Sequence, residues 1–171
     1  MHVTLENDIA IVKIQGTILF NEYVGPVCLP FKYASTSSAG ETVTLLGWGE
    51  DSLGGSKSDI LKVINGSVIT LSRCQSYYSG VTSSNLCTYT PEKAICQVYC
   101  IKMGKNKSIL SLADSEYFQY SQGDVGGPVL YTNRNGRLFC VGIISLSVSC
   151  ANSAYPGINT RVTSFLNFVL T

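Results

Sequence analysis

The chain has 171 residues, a formal net charge of +1, only 13% charged residues and seven cysteines. That length allows one domain, or one and a fraction, with enough chain to bury a core. No basic cluster exceeds the Lys102 to Lys107 stretch, which argues against nucleic acid or an anionic membrane as partner; the longest apolar run, about eight residues around Val141 to Val148 with serines inside it, is far short of the roughly 20 needed to span a bilayer.

Met1 is followed by His2, Thr4 and Glu6 rather than by a basic segment and an apolar core, so no signal peptide is expected in this chain. The cysteine content nevertheless belongs to an oxidising compartment. The two are reconciled if the chain is the C-terminal part of a longer secreted precursor. Seven is an odd number, so at least one thiol stays unpaired or bonds outside the chain.

In chain order, Ile9 to Ile14 is a β-branched run, followed by Thr42 to Leu46 and by Val63 to Leu71, which alternates imperfectly. Val129 to Tyr131, Phe139 to Ser147 and Gly157 to Val162 continue the series. Clusters of Gly, Ser, Asn and Pro separate them, including Ser52 to Asp59 and Asn133 to Gly136. This punctuation predicts an all-β antiparallel barrel or sandwich. The one helical pattern is the tail, where Phe165, Phe168 and Val169 follow Thr163 and Ser164 as candidate caps. Residues 98–122 are out of character: Lys102, Lys105, Lys107, Asp114 and Glu116 mix with scattered apolar residues without a period.

Gly123-Asp124-Val125-Gly126-Gly127-Pro128 alone reads as a tight turn between strands. It becomes specific in company. Asn7-Asp8-Ile9-Ala10, Val27-Cys28-Leu29-Pro30, Gly47-Trp48-Gly49, the pair Cys74 and Cys87, and Pro156-Gly157-Ile158-Asn159-Thr160-Arg161-Val162 occur in the order found in the trypsin/chymotrypsin family. The wording Leu86-Cys87-Thr88-Tyr89-Thr90-Pro91 is closest to insect venom-type secreted serine proteases. The resemblance runs from about Asn7 to Leu170, apart from residues 98–122.

The family fold is two six-stranded barrels with the catalytic site between them. On that plan residues 1–40 are a remnant of the first barrel and the interdomain connector, and residues 41–171 are the second barrel with a short C-terminal helix. Most of the first barrel lacks a counterpart. The apolar face it would cover predicts aggregation or an obligate partner, a protein or peptide, with the first barrel itself as one candidate.

Acyl transfer in this family needs a serine, a histidine that takes its proton, an aspartate that holds the histidine, and backbone N–H donors for the oxyanion. By resemblance, Asp8 stands at the aspartate position and Val125 at the nucleophile position, with Gly123 and Val125 supplying the oxyanion donors. Val125 has no heteroatom, so no base can activate it. The only histidine, His2, lies six residues before Asp8, whereas the family's base sits tens of residues upstream in a Cys-containing motif. Without nucleophile and base the expected loss in turnover is about 10⁶-fold. Asp124 matches the residue that pairs with the N-terminus freed by zymogen cleavage; without that partner its carboxylate would be costly to bury, which predicts a zymogen-like or disordered loop.

The resemblance places the specificity pocket at Ser145, Ser147 and Gly157, with Ala94 as an apolar floor that would not select Lys or Arg. Ser147 puts a side chain where the family keeps glycine. The alternative, plain strand residues, carries equal weight. The family runs a cysteine and usually a glutamine straight into the Gly-Asp-Ser-Gly-Gly-Pro signature, and here 25 residues separate Cys96-Gln97 from Gly123. Valine codons begin with GT and glutamine can be CAG, so we read residues 98–122 as translated intron sequence, with a genuine surface loop as the alternative.

Excision restores the family disulfide between Cys96 and Cys150, beside Cys74 to Cys87. Cys28 matches a cysteine that in the family reaches back to a segment before the activation site. Cys100 lies inside the intrusive segment, and Cys140 has no assigned partner. Val43 and Tyr131 stand where another family disulfide would be. No cofactor is expected, and no Cys-x-x-Cys pair or neighbouring histidine offers a metal site. Asn65-Gly66-Ser67 and Asn106-Lys107-Ser108 are glycosylation acceptors if the chain is exported.

The functional expectation is a catalytically inactive homologue of a secreted serine endopeptidase, with a protein-binding or regulatory role. The alternatives are a truncated member without independent function, or an incomplete version of a working endopeptidase in proteolysis. Amplifying the transcript across codons 97 to 123 is expected to yield a mature message without the 25-codon segment; its retention in all mature message would establish a genuine loop.

Overall fold

The computed structural model describes residues 6–50, 56–90, 99–101, 118–120, 123–146 and 155–170. Six strands form a closed antiparallel barrel: β1 (Thr42–Gly47), β2 (Lys62–Val68), β3 (Asn85–Tyr89), β6 (Pro128–Thr132), β7 (Leu138–Leu146) and β8 (Gly157–Arg161), joined in the order β1-β2-β3-β8-β7-β6. The two remaining strands, β4 (Tyr99–Ile101) and β5 (Phe118–Tyr120), pair only with each other. The described parts of the segment 98–122 thus form their own ladder and leave the barrel's hydrogen bonding uninterrupted.

Period-two patterning sets which way each strand faces. In β1, Val43 and Leu45 point into the barrel, while outward Thr44 donates its hydroxyl to the Asn65 Oδ1 across the pair, at 3.0 Å. The principal core unites Val43, Leu45, Val68, Leu86, Val129, Phe139, Val141 and Ile144. Tyr131 and Tyr33 pack on its margin, with ring centroids 5.4 Å apart edge to face. The sites Val43 and Tyr131, where the family's paired cysteines would stand, are therefore filled by packing.

A second core of Cys74, Val81, Cys87 and Ile158 lies under α1 (Leu71–Gln75). Thr70 caps α1, its hydroxyl accepting the Arg73 N–H at 3.2 Å. Cys74 on the helix and Cys87 in β3 are joined by a disulfide closing a separation of 13 residues. The Tyr78 hydroxyl donates to the Pro156 carbonyl at 2.9 Å, tying the segment after α1 to the entry of β8. Burial, reinforced by Tyr155 and Tyr77, raises the Tyr78 pKa well above its usual value, so the phenol stays a donor.

Two expectations change. The β-branched run 9–14 forms no strand; residues 10–27 are exposed. A strand needs a neighbour for its backbone groups, and the closed barrel offers no free edge. The tail is a 3₁₀ turn, Val162–Phe165, followed by the single turn α2 (Leu166–Val169). Thr163 and Ser164 lie inside that 3₁₀ turn rather than capping a helix, and Leu166, not Phe168, is the buried residue.

Replacing Cys74 and Cys87 together by alanine is expected to cost about 3 kcal/mol of unfolding free energy. A urea titration reads this as a lower midpoint; an unchanged midpoint would show that packing alone closes this loop.

Candidate functional site

Asp8 meets the barrel through two hydrogen bonds of different origin. Asn7 adopts a positive φ of 60°, a conformation asparagine tolerates better than most residues, and Asp8 follows it onto the wall formed by β7 and β8. The Ser145 hydroxyl donates to the Asp8 Oδ2 at 2.6 Å, and the Thr160 hydroxyl donates to the Asp8 carbonyl at 2.7 Å.

Ser145 can do this because the β7–β8 register slips between Ile144 and Leu146, leaving it as the extra residue of a bulge. Bulges re-aim side chains in this way. The sequence reading placed Ser145 in a specificity pocket; the structure commits its hydroxyl to Asp8. A serine in the apolar run of β7 was the available signal, since a buried hydroxyl requires an acceptor.

The turn 123–127 is well formed. Gly126 takes a φ of +82°, which favours glycine, and its N–H donates to the Ile144 carbonyl at 2.9 Å. The Gly127 N–H closes the turn on the Asp124 carbonyl at 2.9 Å. The amides of Gly123 and Val125 donate to no acceptor among the described residues. Val125 projects from this turn with 48% of its surface exposed.

Asp124 points the other way, toward β1. Its Oδ1 accepts the Gly49 N–H at 2.7 Å. A Cβ on Gly47 would overlap this carboxylate, and one on Gly49 would lie 2.7 Å from it. Gly47 and Gly49 are thus the room that Asp124 occupies. Of the zymogen-like or disordered loop expected from the sequence, disorder is ruled out: the turn is ordered, and a backbone amide supplies a hydrogen bond that a partly buried carboxylate needs.

Gly157 opens β8 opposite Thr88, where an added Cβ would make only ordinary contact at 3.4 Å, so packing does not demand glycine there. Behind it Asn159 is buried, donating to the Leu86 carbonyl at 2.8 Å and the Thr88 hydroxyl at 3.1 Å. Ala94, Ser147, Cys96, Cys150 and His2 lie outside the described residues. Asn65 is an exposed residue of β2.

Cys28 makes an isolated parallel bridge to Phe139, and the Cys140 N–H donates to the Cys28 carbonyl at 3.0 Å. Both thiols are free, and burial raises the pKa of Cys140. No group of three His, Cys, Asp or Glu side chains among the described residues is placed to hold a metal ion.

The trypsin family model matches residues 2–98 and 105–169, its gap falling inside the segment 98–122. Venom serine protease 34 of Apis mellifera is 35% identical over 165 residues, which is 96% of this chain and 34% of that protein. A venom serine protease of Polistes dominula is 35% identical over 95% of this chain and 50% of its own length. Trypsin I-P1 of Gallus gallus is 34% identical over 98% of this chain and 56% of its own. The chain thus spans between about a third and just over half of these relatives.

Ser145→Ala is expected to weaken the hold on Asp8 by about 1 kcal/mol, the value of a charge-assisted hydrogen bond reduced for the exposure of the carboxylate. Faster hydrogen exchange at the Ile9 and Ala10 amides would report it. Unchanged exchange there would mean that the Thr160 contact alone positions the segment.

Proposed function

The chain belongs to the trypsin family of serine proteases, and we propose that it is a catalytically silent member whose cleft framework holds a protein or peptide segment rather than cutting it. The observation that carries this reading is Val125. It occupies the projecting position of the turn 123–127, half exposed, with an aliphatic side chain that cannot attack a carbonyl. Without a nucleophile, backbone donors at this turn would have no tetrahedral oxyanion to receive.

The aspartate position supports the same conclusion. Asp8 is held by Ser145 and Thr160, which take up both its Oδ2 and its carbonyl. Ser145, Ser147, Gly157 and Ala94 are proposed as the lining of the residual pocket, and Gly123 with Val125 as its backbone donors.

Residues 1–40 are proposed as the edge of the first barrel and the connector, and residues 41–171 as the second barrel. Ile11, Val12, Ile14, Leu19, Phe20 and Tyr23 are each at least half exposed. So large an apolar strip is energetically unfavourable in water and calls for a protein cover. The first barrel of the family fold is the proposed occupant. The Cys74–Cys87 disulfide and the venom relatives support a secreted setting, and no helix among the described residues is long and apolar enough to cross a membrane.

A second reading, a working endopeptidase, draws on the relatives' names as proteases. A fluorophosphonate probe separates the two. The natural chain is expected to form no covalent adduct, because the aliphatic side chain of Val125 offers the probe no nucleophile. Labelling of the natural chain would establish the endopeptidase and sink the silent reading.

A further inference from the structure

Arg161, next after Thr160 at the end of β8, lines an open pocket of about 410 Å³ whose other walls include the hydroxyl residues Ser35, Thr36, Ser83, Thr163 and Ser164. Its guanidinium is half-buried yet has only neutral acceptors. The Nε donates to the carbonyls of Ser83 and Asn85 at 3.1 and 3.2 Å, and an Nη1 hydrogen reaches the Ser38 hydroxyl at 3.4 Å. A guanidinium carries five N–H donors, so the Nη2 pair and one Nη1 hydrogen have no acceptor among the described residues.

No carboxylate among the described residues lies within ion-pair reach of Arg161. Burial pulls its pKa below the ordinary value, and no opposing charge offsets this. A guanidinium nevertheless stays protonated at neutral pH. The fold therefore holds a partly desolvated, uncompensated cation, and such a group stabilises any anion that reaches it.

We propose that this cavity binds a sulfate or phosphate group, either a free ion or the monoester carried by a small molecule. The unpaired Nη edge of the guanidinium can meet two oxygens, and hydroxyl residues line the same pocket and can supply further donors. That arrangement suits a tetrahedral oxyanion with three or four acceptors better than a flat carboxylate with two. Glu41, on the loop that carries Ser38, is exposed and makes no ion pair with Arg161, so it leaves the charge unspent. The proposal is independent of Val125 and of the silent reading.

The test is a thermal unfolding series on the full chain with sodium sulfate against sodium chloride at matched ionic strength. Sulfate is expected to raise Tm saturably by a few degrees over chloride; identical Tm values in the two salts would overturn the site. Arg161→Gln is expected to abolish the saturable part of the difference, leaving only the non-saturating stabilisation that excluded sulfate gives any fold.

Because Arg161 also holds two carbonyls, a second variant spares it. Thr36→Val combined with Thr163→Val, which removes two hydroxyls while keeping the shape of both side chains, is expected to weaken sulfate binding about tenfold by calorimetry. Unaltered sulfate affinity in both variants would refute the assignment. N-acetylglucosamine 6-sulfate as a second titrant distinguishes the two sources. Affinity about tenfold above inorganic sulfate identifies an ester ligand, and equal affinity identifies the free ion.

Discussion

Closure of the barrel, with β1 on β6 and β3 on β8, is the constraint from which the rest of this structure follows. Once the ladder returns on itself, every barrel strand has two neighbours and no edge is left to recruit another. Residues 6–27 are therefore excluded from the sheet, although the run 9–14 has the composition of a strand. It touches the barrel wall through Asp8, and its apolar side chains face outward. The same closure forces the residues 99–101 and 118–120 to pair with each other.

The turn 123–127 depends on that closed wall. The amides of Gly126 and Gly127 are spent on β7 and on the Asp124 carbonyl, and its carboxylate fills the space left by Gly47 at the end of β1 and by Gly49 just beyond it. What emerges is a rigid backbone frame whose geometry does not depend on the side chain at position 125. A nucleophile can be exchanged for valine without disturbing the frame, because that side chain is outside the core.

Much of the architecture was legible in the sequence. The run Thr42 to Leu46 marked the strand that becomes β1, and the order of short motifs identified the family barrel. The misreadings share one cause. Residues 9–14 have strand composition, yet a strand exists only if a partner edge does, and composition carries no record of the partner. Thr163 and Ser164 resemble helix caps, yet the segment they enter is a 3₁₀ turn whose hydroxyls look toward Ser83 and the Arg161 cavity. The short helix α1 was too brief to show a period, and its cap Thr70 lay inside the run 63–71 read as a strand.

By itself, the sequence determined ancestry, strand faces, and the absence of a hydroxyl at position 125, because these are properties of residue identity and local period. Only the tertiary structure decided which groups satisfy the two carboxylates and where the uncompensated guanidinium sits. Ser145 reaches Asp8 across 137 positions, and Gly49 reaches Asp124 across 75. Such partnerships are set by register, by a bulge at one residue, and by barrel closure. None of these is encoded in a local stretch of chain.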